Sequence, residues 1–301
     1  MELVIENDTN ERIDSYLSTE LDFSRSKVVK MIKNNEILVN DKPTKNSYVL
    51  RKGDSVTVNE HEEDPMNVEP ENIPLDIVYE DNDVIVVNKP NGMVVHPAIG
   101  NNHGTLVNAL LYHANSLSTI NGSFRPGIVH RIDAYTTGLL MVAKNDKAHE
   151  ILADELSKKE TNRKYIALVW GVINEDTATI DAPIGRDMKD RKKMAVTSVN
   201  SKEAVTHLKV LKRYKDATLI ELKLETGRTH QIRVHMNYIG HPVVNDPVYG
   251  SRKLIDDSGQ CLHAMELGFK HPTTGEFMNF KCDLPECFTN ILEKFEKETN
   301  N

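Results

Sequence analysis

One carboxylate stands out by its neighbours. Asp133 lies two positions after Arg131 and just before a small-residue turn, Thr136-Thr137-Gly138, and Leu139-Leu140-Met141-Val142-Ala143 then forms an apolar, β-prone run. That order displays the carboxylate at the mouth of a turn whose far side is anchored in a core strand. So placed, it can serve as a nucleophile or electrostatic partner; it can equally accept hydrogen bonds from the amides of its own turn. A nucleophile must be ionised, and burial alone favours the neutral acid, so a catalytic Asp133 requires a cation beside it. Metal chemistry has no comparable signal. The chain has 12 histidines, but neither H-E-x-x-H nor the H-x-E with P-C-x-x-C of zinc nucleobase deaminases. Cys282 and Cys287 are too far apart for a C-x-x-C knuckle, and Cys261 with His263 alone makes no site. Phosphate-loop and dinucleotide fingerprints are absent too. No metal is expected.

The elements that must position Asp133 begin near Leu75. Ile77-Val78-Tyr79 and Val84-Ile85-Val86-Val87 flank the polar turn Glu80-Asp81-Asn82-Asp83. Lys89-Pro90-Asn91-Gly92 is a second turn, with Asn-Gly as a hairpin signal into a strand at Met93 to Pro97. Helices are expected over Thr105 to His113 and over Asp146 to Lys158, the latter with Ile151, Leu152 and Leu156 inward. Arg163 to Gly171 reads as a strand. Ala204 to Leu211 and Thr218 to Leu224 read as an antiparallel pair. Thr226-Gly227-Arg228-Thr229 then turns into a short helix, His230 to Tyr238, closed by Gly240 with Pro242 beyond. The charged tail, Glu293 to Asn301, is expected to fray. Strands outnumber helices without βαβ alternation, which favours an α+β fold with a mainly antiparallel mixed sheet flanked by helices.

Ahead of this domain (75–301), residues 1–58 read as a small α/β module and 59–74 as an acidic linker stiffened by Pro65, Pro70 and Pro74. In the module, Ile13, Leu17 and Leu21 recur at helical spacing. Ser24 is placed to cap a second helix that buries Val28, Val29, Met31 and Ile32. Glu36 to Asn40 and Ser55 to Val58 read as strands. Charge is segregated: Ser24 to Lys52 carries eight basic residues against Glu36 and Asp41, whereas Glu60 to Glu71 has six acidic residues and no basic one. The net charge of −8 argues against a nucleic-acid-coated surface, but local charge decides RNA binding. Arg25, Lys27, Lys30 and Lys33 on the second helix are either a solvated face or an RNA contact. No apolar run approaches the ~20 residues of a membrane span, and the acidic start has too short an apolar run for a secretory signal. An odd count of 3 cysteines without a C-x-x-C pair suits reduced thiols. A cytoplasmic location is expected.

The words around Asp133 narrow its role. Gly127 to Lys144, centred on His130-Arg131-Ile132-Asp133, closely resembles the catalytic signature of the RluA-type (RluD-like) pseudouridine synthases. Asn88-Lys89-Pro90-Asn91-Gly92-Met93-Val94-Val95-His96-Pro97, the strand around Arg163-Lys164-Tyr165, and Thr226-Gly227-Arg228-Thr229-His230-Gln231-Ile232-Arg233-Val234-His235 match further motifs in the same order. Residues 1–58 resemble the alpha-L (S-four-like) RNA-binding domain, on Arg12-Ile13-Asp14, Ser24-Arg25-Ser26, Val39-Asn40-Asp41-Lys42 and Gly53-Asp54. The resemblance spans almost the whole chain.

It implies an RNA uridine substrate, in large-subunit rRNA or a ribosomal particle, with no DNA, no membrane, no cofactor and no external energy source. By the same resemblance Asp133 is the nucleophile, attacking sugar or ring, and Arg233 is the guanidinium that pairs with it. Tyr165 is the aromatic that stacks on the base and takes its proton, Ile232 the opposite apolar wall, and Arg131 an RNA contact near the vacated stack. His130 is given no chemistry. The second helix of the module would grip RNA phosphates. Ala134 and Tyr135 depart from the charged and polar residues common in relatives, which bears on substrate choice. A second class stays open, an RNA-binding ribosome-assembly factor with secondary or lost catalysis; intact Asp133, Tyr165 and Arg233 speak against loss.

Overall fold

A computed structural model of the chain describes residues 2–6, 8–21, 23, 25–59, 68–97, 102–122, 125–190, 193–250, 252 and 254–300. It divides into two units, Met1–Pro65 and Met66–Asn301. The smaller holds, in chain order, β1 (Glu2–Val4), α1 (Ile13–Glu20), α2 (Arg25–Lys33), β2 (Ile37–Val39), β3 (Lys42–Pro43) and β4 (Ser55–Val58). Its strands pair antiparallel in the order β1-β4-β2-β3. Helical spacing puts Ile13, Leu17, Val28, Met31 and Ile32 into one core with Ile37, Val39, Val56 and Val58. Asn40 and Asp41, at φ of 51° and 62°, supply the left-handed pair that a two-residue hairpin between β2 and β3 needs. Buried Asp54 accepts bonds from Asn40, the Tyr48 hydroxyl and the Arg51 amide, which ties that turn to the loop before β4. Ser24, the expected cap of α2, lies outside the described residues, as do residues 60–67 of the expected linker.

The larger unit runs β5 (Asp76–Glu80), β6 (Val84–Lys89), α3 (Leu106–His113), β7 (Thr137–Ala143), α4 (Asp146–Ser157), β8 (Asn162–Trp170), β9 (Thr177–Asp181), β10 (Ile184–Arg186), β11 (Met194–Val196), β12 (Val205–Arg213), β13 (Ala217–Leu224), α5 (Gln231–Tyr238), β14 (Leu262–Lys270), β15 (Phe277–Lys281) and α6 (Glu286–Asn300). A mixed sheet forms in the order β5-β6-β7-β14-β8-β13-β12-β9, with β15 on β14. Only β7 and β14 pair in parallel. This is the α+β, mainly antiparallel architecture that the strand pattern favours. β7 is buried at every position: Leu140 and Val142 enter one core, while Leu139, Met141 and Ala143 pack with α4 residues Ala148 and Leu152 on the other face. Glu69 and Glu71, before β5, hold α3 through Asn108 and cap the approach to it through the Gly104 amide.

Three local expectations change. Met93 to Pro97 is irregular chain rather than a strand, because Val94 O and Val95 O are taken by the first amides of α3, Leu106 and Val107. The tail is helical rather than frayed. Phe288, Ile291 and Phe295 bury one face of α6, and Phe295 meets Trp170 edge-on at 5.4 Å. Its charges simply occupy the other face. Two partners of β8 and β12, β14 and β9, come from stretches given no strand by the sequence pattern.

Candidate active site

The nucleophile-like Asp133 lies between the Ile128–Val142 bridge and the start of β7. The chain reverses there within four residues, Thr136 N donating to Asp133 O at 3.0 Å. Gly138 follows at φ +104°, where any Cβ would overlap the Ala264 backbone. Glycine alone lets β7 leave the turn and pair at once with β14. Lys89, wholly buried, donates from Nζ to the carbonyls of Pro90 (2.9 Å), Met93 (2.9 Å) and Ala134 (2.8 Å). Its ammonium therefore clamps the residue after Asp133 to the turn after β6. Burial pulls Lys89 down to about 7 while the Asp133 charge opposes this, and three carbonyl acceptors further favour the charged form. His130 Nε2 accepts from Met141 N at 3.1 Å. Burial, with Arg163 nearby, lowers it to about 3, so His130 stays neutral and serves packing.

Arg233 reaches Asp133 from α5. The turn before that helix is fixed by Gln231, whose side chain bonds Thr226, the Arg228 amide, the Val205 carbonyl and Thr206. Arg233 Nε and Nη2 donate to Asp246 at 2.7 and 2.8 Å, and Nη1 donates to Asp133 Oδ2 at 2.8 Å. Asp246 thus holds the guanidinium plane by two parallel bonds and leaves one edge for Asp133. Burial pushes Asp246 up, but Arg233 and the amides of Tyr249 and Val248 outweigh it and keep its pKa low. Burial likewise works against Arg233, and the two carboxylates overcome it. Among the described residues the Asp133 carboxylate accepts no amide of its own turn. The choice left open by the sequence falls to the guanidinium.

A histidine stands on the other side of the carboxylate. His230 is left-handed, at φ 57°, a conformation costing a non-glycine residue about 1–2 kcal/mol. Met194 N donates to the Tyr249 hydroxyl, and His230 Nδ1 lies 2.9 Å from the same oxygen. The other ring nitrogen, Nε2, is 3.8 Å from Asp133 Oδ1.

These groups line a cavity of about 440 Å³ together with Tyr165, Ile232, Arg131 and Arg163, a volume suited to a small-molecule-sized ligand. Tyr165, on β8, is raised by burial, and its hydroxyl has no hydrogen-bond partner among the described residues. Ile232 is 4% exposed. Arg131 Nη1 lies 3.3 Å from His96 Nε2; burial and then Arg131 itself lower His96 to about 4, so the neutral ring accepts from the guanidinium. Five expected site residues, Asp133, Arg233, Tyr165, Ile232 and Arg131, therefore converge. Arg25, Lys27, Lys30 and Lys33 belong to the smaller unit, on the exposed face of α2. Arg25 donates to Asp14 at 3.1 and 3.2 Å, and Lys27 Nζ sits 3.5 Å above the Phe23 ring.

Lys89, Arg163, His230 and Asp246 complete the site without having been assigned a part from sequence. The first three fall inside quoted motifs and could have been examined there. Asp246 lies 13 residues beyond Arg233 in a polar turn, with no local signal. Among the described residues no group of three or more His, Cys, Asp or Glu is spaced to hold a metal, and no helix is long and apolar enough to cross a membrane.

Comparison with known proteins gives the family. Residues 83–238 match the RNA pseudouridylate synthase family model, and residues 11–56 match the S4 domain model. The chain is 56% identical to the uncharacterized RNA pseudouridine synthase YlyB of Bacillus subtilis (strain 168), over 97% of this chain and 96% of that protein. It is 40% identical to the ribosomal large subunit pseudouridine synthase D of Escherichia coli O6:H1, over 96% and 92% of the two chains. Among solved structures, human RNA pseudouridylate synthase domain containing 1 superposes with a TM-score of 0.58 at 30% identity, covering 70% of this chain and 84% of that one.

Proposed function

The chain belongs to the RNA pseudouridylate synthase family, and from that premise we propose that it isomerises uridines of large-subunit ribosomal RNA in the cytoplasm, with Asp133 as the nucleophile. The RNA target follows relatives named for the large ribosomal subunit. In the reaction the C1′–N1 bond of uridine breaks, the ring turns, and C1′ bonds to carbon five. The proton at carbon five leaves and N1 gains one. The observation that carries this reading is the 2.8 Å contact between Arg233 Nη1 and Asp133 Oδ2. A guanidinium already fixed by Asp246 pairs with the attacking carboxylate and aims it into the cavity.

The remaining groups take roles around that pair. A flipped-out uridine enters the cavity, because its reacting atoms are out of reach inside a helix. Tyr165 meets the base face, and Ile232 forms the opposite wall. Arg131, held by His96, occupies the space the base leaves. Residues 1–58 grip RNA phosphates through Arg25, Lys27, Lys30 and Lys33, which positions RNA without reading sequence.

The test is tritium release from large-subunit rRNA labelled at carbon five of uridine, comparing wild type with Asp133→Asn and analysing the digest for pseudouridine. Release by wild type alone supports the assignment. Equal release by Asp133→Asn would remove Asp133 from the chemistry. A wild type that binds but releases nothing, from either transcript or ribosomal subunits lacking the modification, would leave an RNA-binding assembly role.

A further inference from the structure

Arg163 is a buried cation with nothing to neutralise it. It precedes Tyr165 by two positions on β8, so both side chains leave the same face of the sheet, and both line the cavity. Arg163 is 7% exposed. Its Nη1 would lie 2.8 Å from a Cβ on Gly227, so the guanidinium rests against bare glycine backbone. The Nε is buried without a hydrogen-bond partner. Among the described residues no carboxylate or carbonyl pairs with this side chain.

An unpaired desolvated charge is costly, and a guanidinium cannot escape by losing its proton. No resident anion accounts for it. Asp133 is bound by Arg233, and Tyr165 stays a neutral phenol because burial raises its pKa. A phosphodiester is the wrong partner for so deep a group. Arg131 and Arg228 also line the cavity and reach further into solvent, which suits them to the RNA backbone.

The reaction itself supplies an anion. If Asp133 attacks the sugar, the C1′–N1 electron pair leaves with the base, and uracil carries a negative charge spread from N1 onto its two carbonyl oxygens. If Asp133 adds to the ring, the displaced π electrons reach a carbonyl oxygen as an enolate. On both routes the charge is consumed when carbon five bonds to C1′ and the Asp133 carboxylate leaves the sugar or the ring; the proton then lost from carbon five is matched by one gained at N1. We infer that Arg163 is a catalytic residue that stabilises the negative charge developing on the carbonyl oxygens of the detached or adducted uracil. This rests on the cavity being the seat of the target uridine. The neutral carbonyls of bound uridine interact with Arg163 less strongly than the anion does, so the benefit falls on the chemical step more than on binding.

The test compares Arg163→Met, Arg163→Lys and wild type in single-turnover reactions at saturating RNA, with RNA affinity measured in parallel. Arg163→Met should slow the step by roughly 10²–10³-fold, with RNA affinity changed by less than about threefold, and Arg163→Lys should recover part of the rate. A second substrate carries 5-fluorouridine, whose ring anion is stabilised by the fluorine itself, and its consumption is followed by digestion. There the Arg163→Met defect should shrink. An equal defect on both substrates, or a loss of affinity that accounts for the loss of rate, would overturn the inference. If Arg163→Met fails to fold, Arg163→Lys alone decides, since a smaller defect on the fluorinated RNA is still required. A failure of the broader reading looks different: wild type would then be inactive on both RNAs.

Discussion

Positive charge is used in opposite ways in the two units. On α2, Arg25, Lys27, Lys30 and Lys33 stand in water, where Arg25 shares the Asp14 carboxylate with Arg12 and Lys27 lies over the Phe23 ring. In the larger unit, Arg163 and Arg233 at the cavity and Lys89 behind the Asp133 turn are nearly or wholly buried, and each lies beside a place where negative charge is held or expected to form. In water a pair of charges a few ångströms apart is worth about 1 kcal/mol and is screened within about 10 Å at ordinary salt. Inside, the same pair is several times stronger and is fixed in direction. Exposed charge therefore suits a phosphate backbone met anywhere along its length. Buried charge suits one atom in one position.

That contrast can be broken, and the largest effect should come from the buried side. Arg233→Met strands Asp133 and Asp246 together, and breaking such a buried pair is expected to destabilise the fold by about 3–5 kcal/mol. Activity should fall at least about 10²-fold. Arg233→Lys keeps the charge but cannot hold Asp246 by two bonds and reach Asp133 as well. Isomerisation rate and thermal unfolding measured together should show Lys retaining more stability than activity; full activity in Arg233→Met would end the pairing argument.

A smaller effect should appear with acid. Burial holds His130 and His263 neutral, at about 3 and about 4 against 6.5 for the free side chain. Below 6.5 the unfolded chain takes up protons that the folded one refuses. Stability is thus complete above that pH and declines as pH falls toward 4 and then 3, by up to about 1.4 kcal/mol per pH unit for each histidine. Unfolding temperatures followed from about pH 7 to about pH 5 should drop, and His130→Gln should drop less steeply than wild type. A flat profile would contradict the burial.

The smallest effect belongs to α2. Replacing Lys27, Lys30 and Lys33 together by Gln should weaken RNA binding most at low salt. Each lost phosphate contact should reduce the slope of log affinity against log salt by about 0.7–0.9. The rate at saturating RNA should hold. An unchanged salt slope would take RNA gripping away from this helix.

What the sequence made legible was local. Asp133, Tyr165 and Arg233 each sit in a contiguous word with its own turn or strand, so they could be found without knowing the fold. Asp246 could not, because its meaning comes from a guanidinium on another element. β14 was missed although it runs through the middle of the sheet: Cys261 to Lys270 mixes His263, Glu266 and Gly268 into its apolar residues, which blurs a strand buried on both faces. α6 was misjudged for the reverse reason, since its charges masked the regular spacing of Phe288, Ile291 and Phe295.

The place of β14 has a consequence for how the protein is made. β7, with the Asp133 turn at its start, and β8, which carries Arg163 and Tyr165, are not hydrogen-bonded neighbours; residues 262–270 lie between them. A growing polypeptide folds from its earlier parts first, and when both halves of the cavity have been synthesised the strand that joins them has not. The parts of the cavity made first therefore wait for residues 262–270, and a chain cut before residue 262 is expected to show no isomerisation.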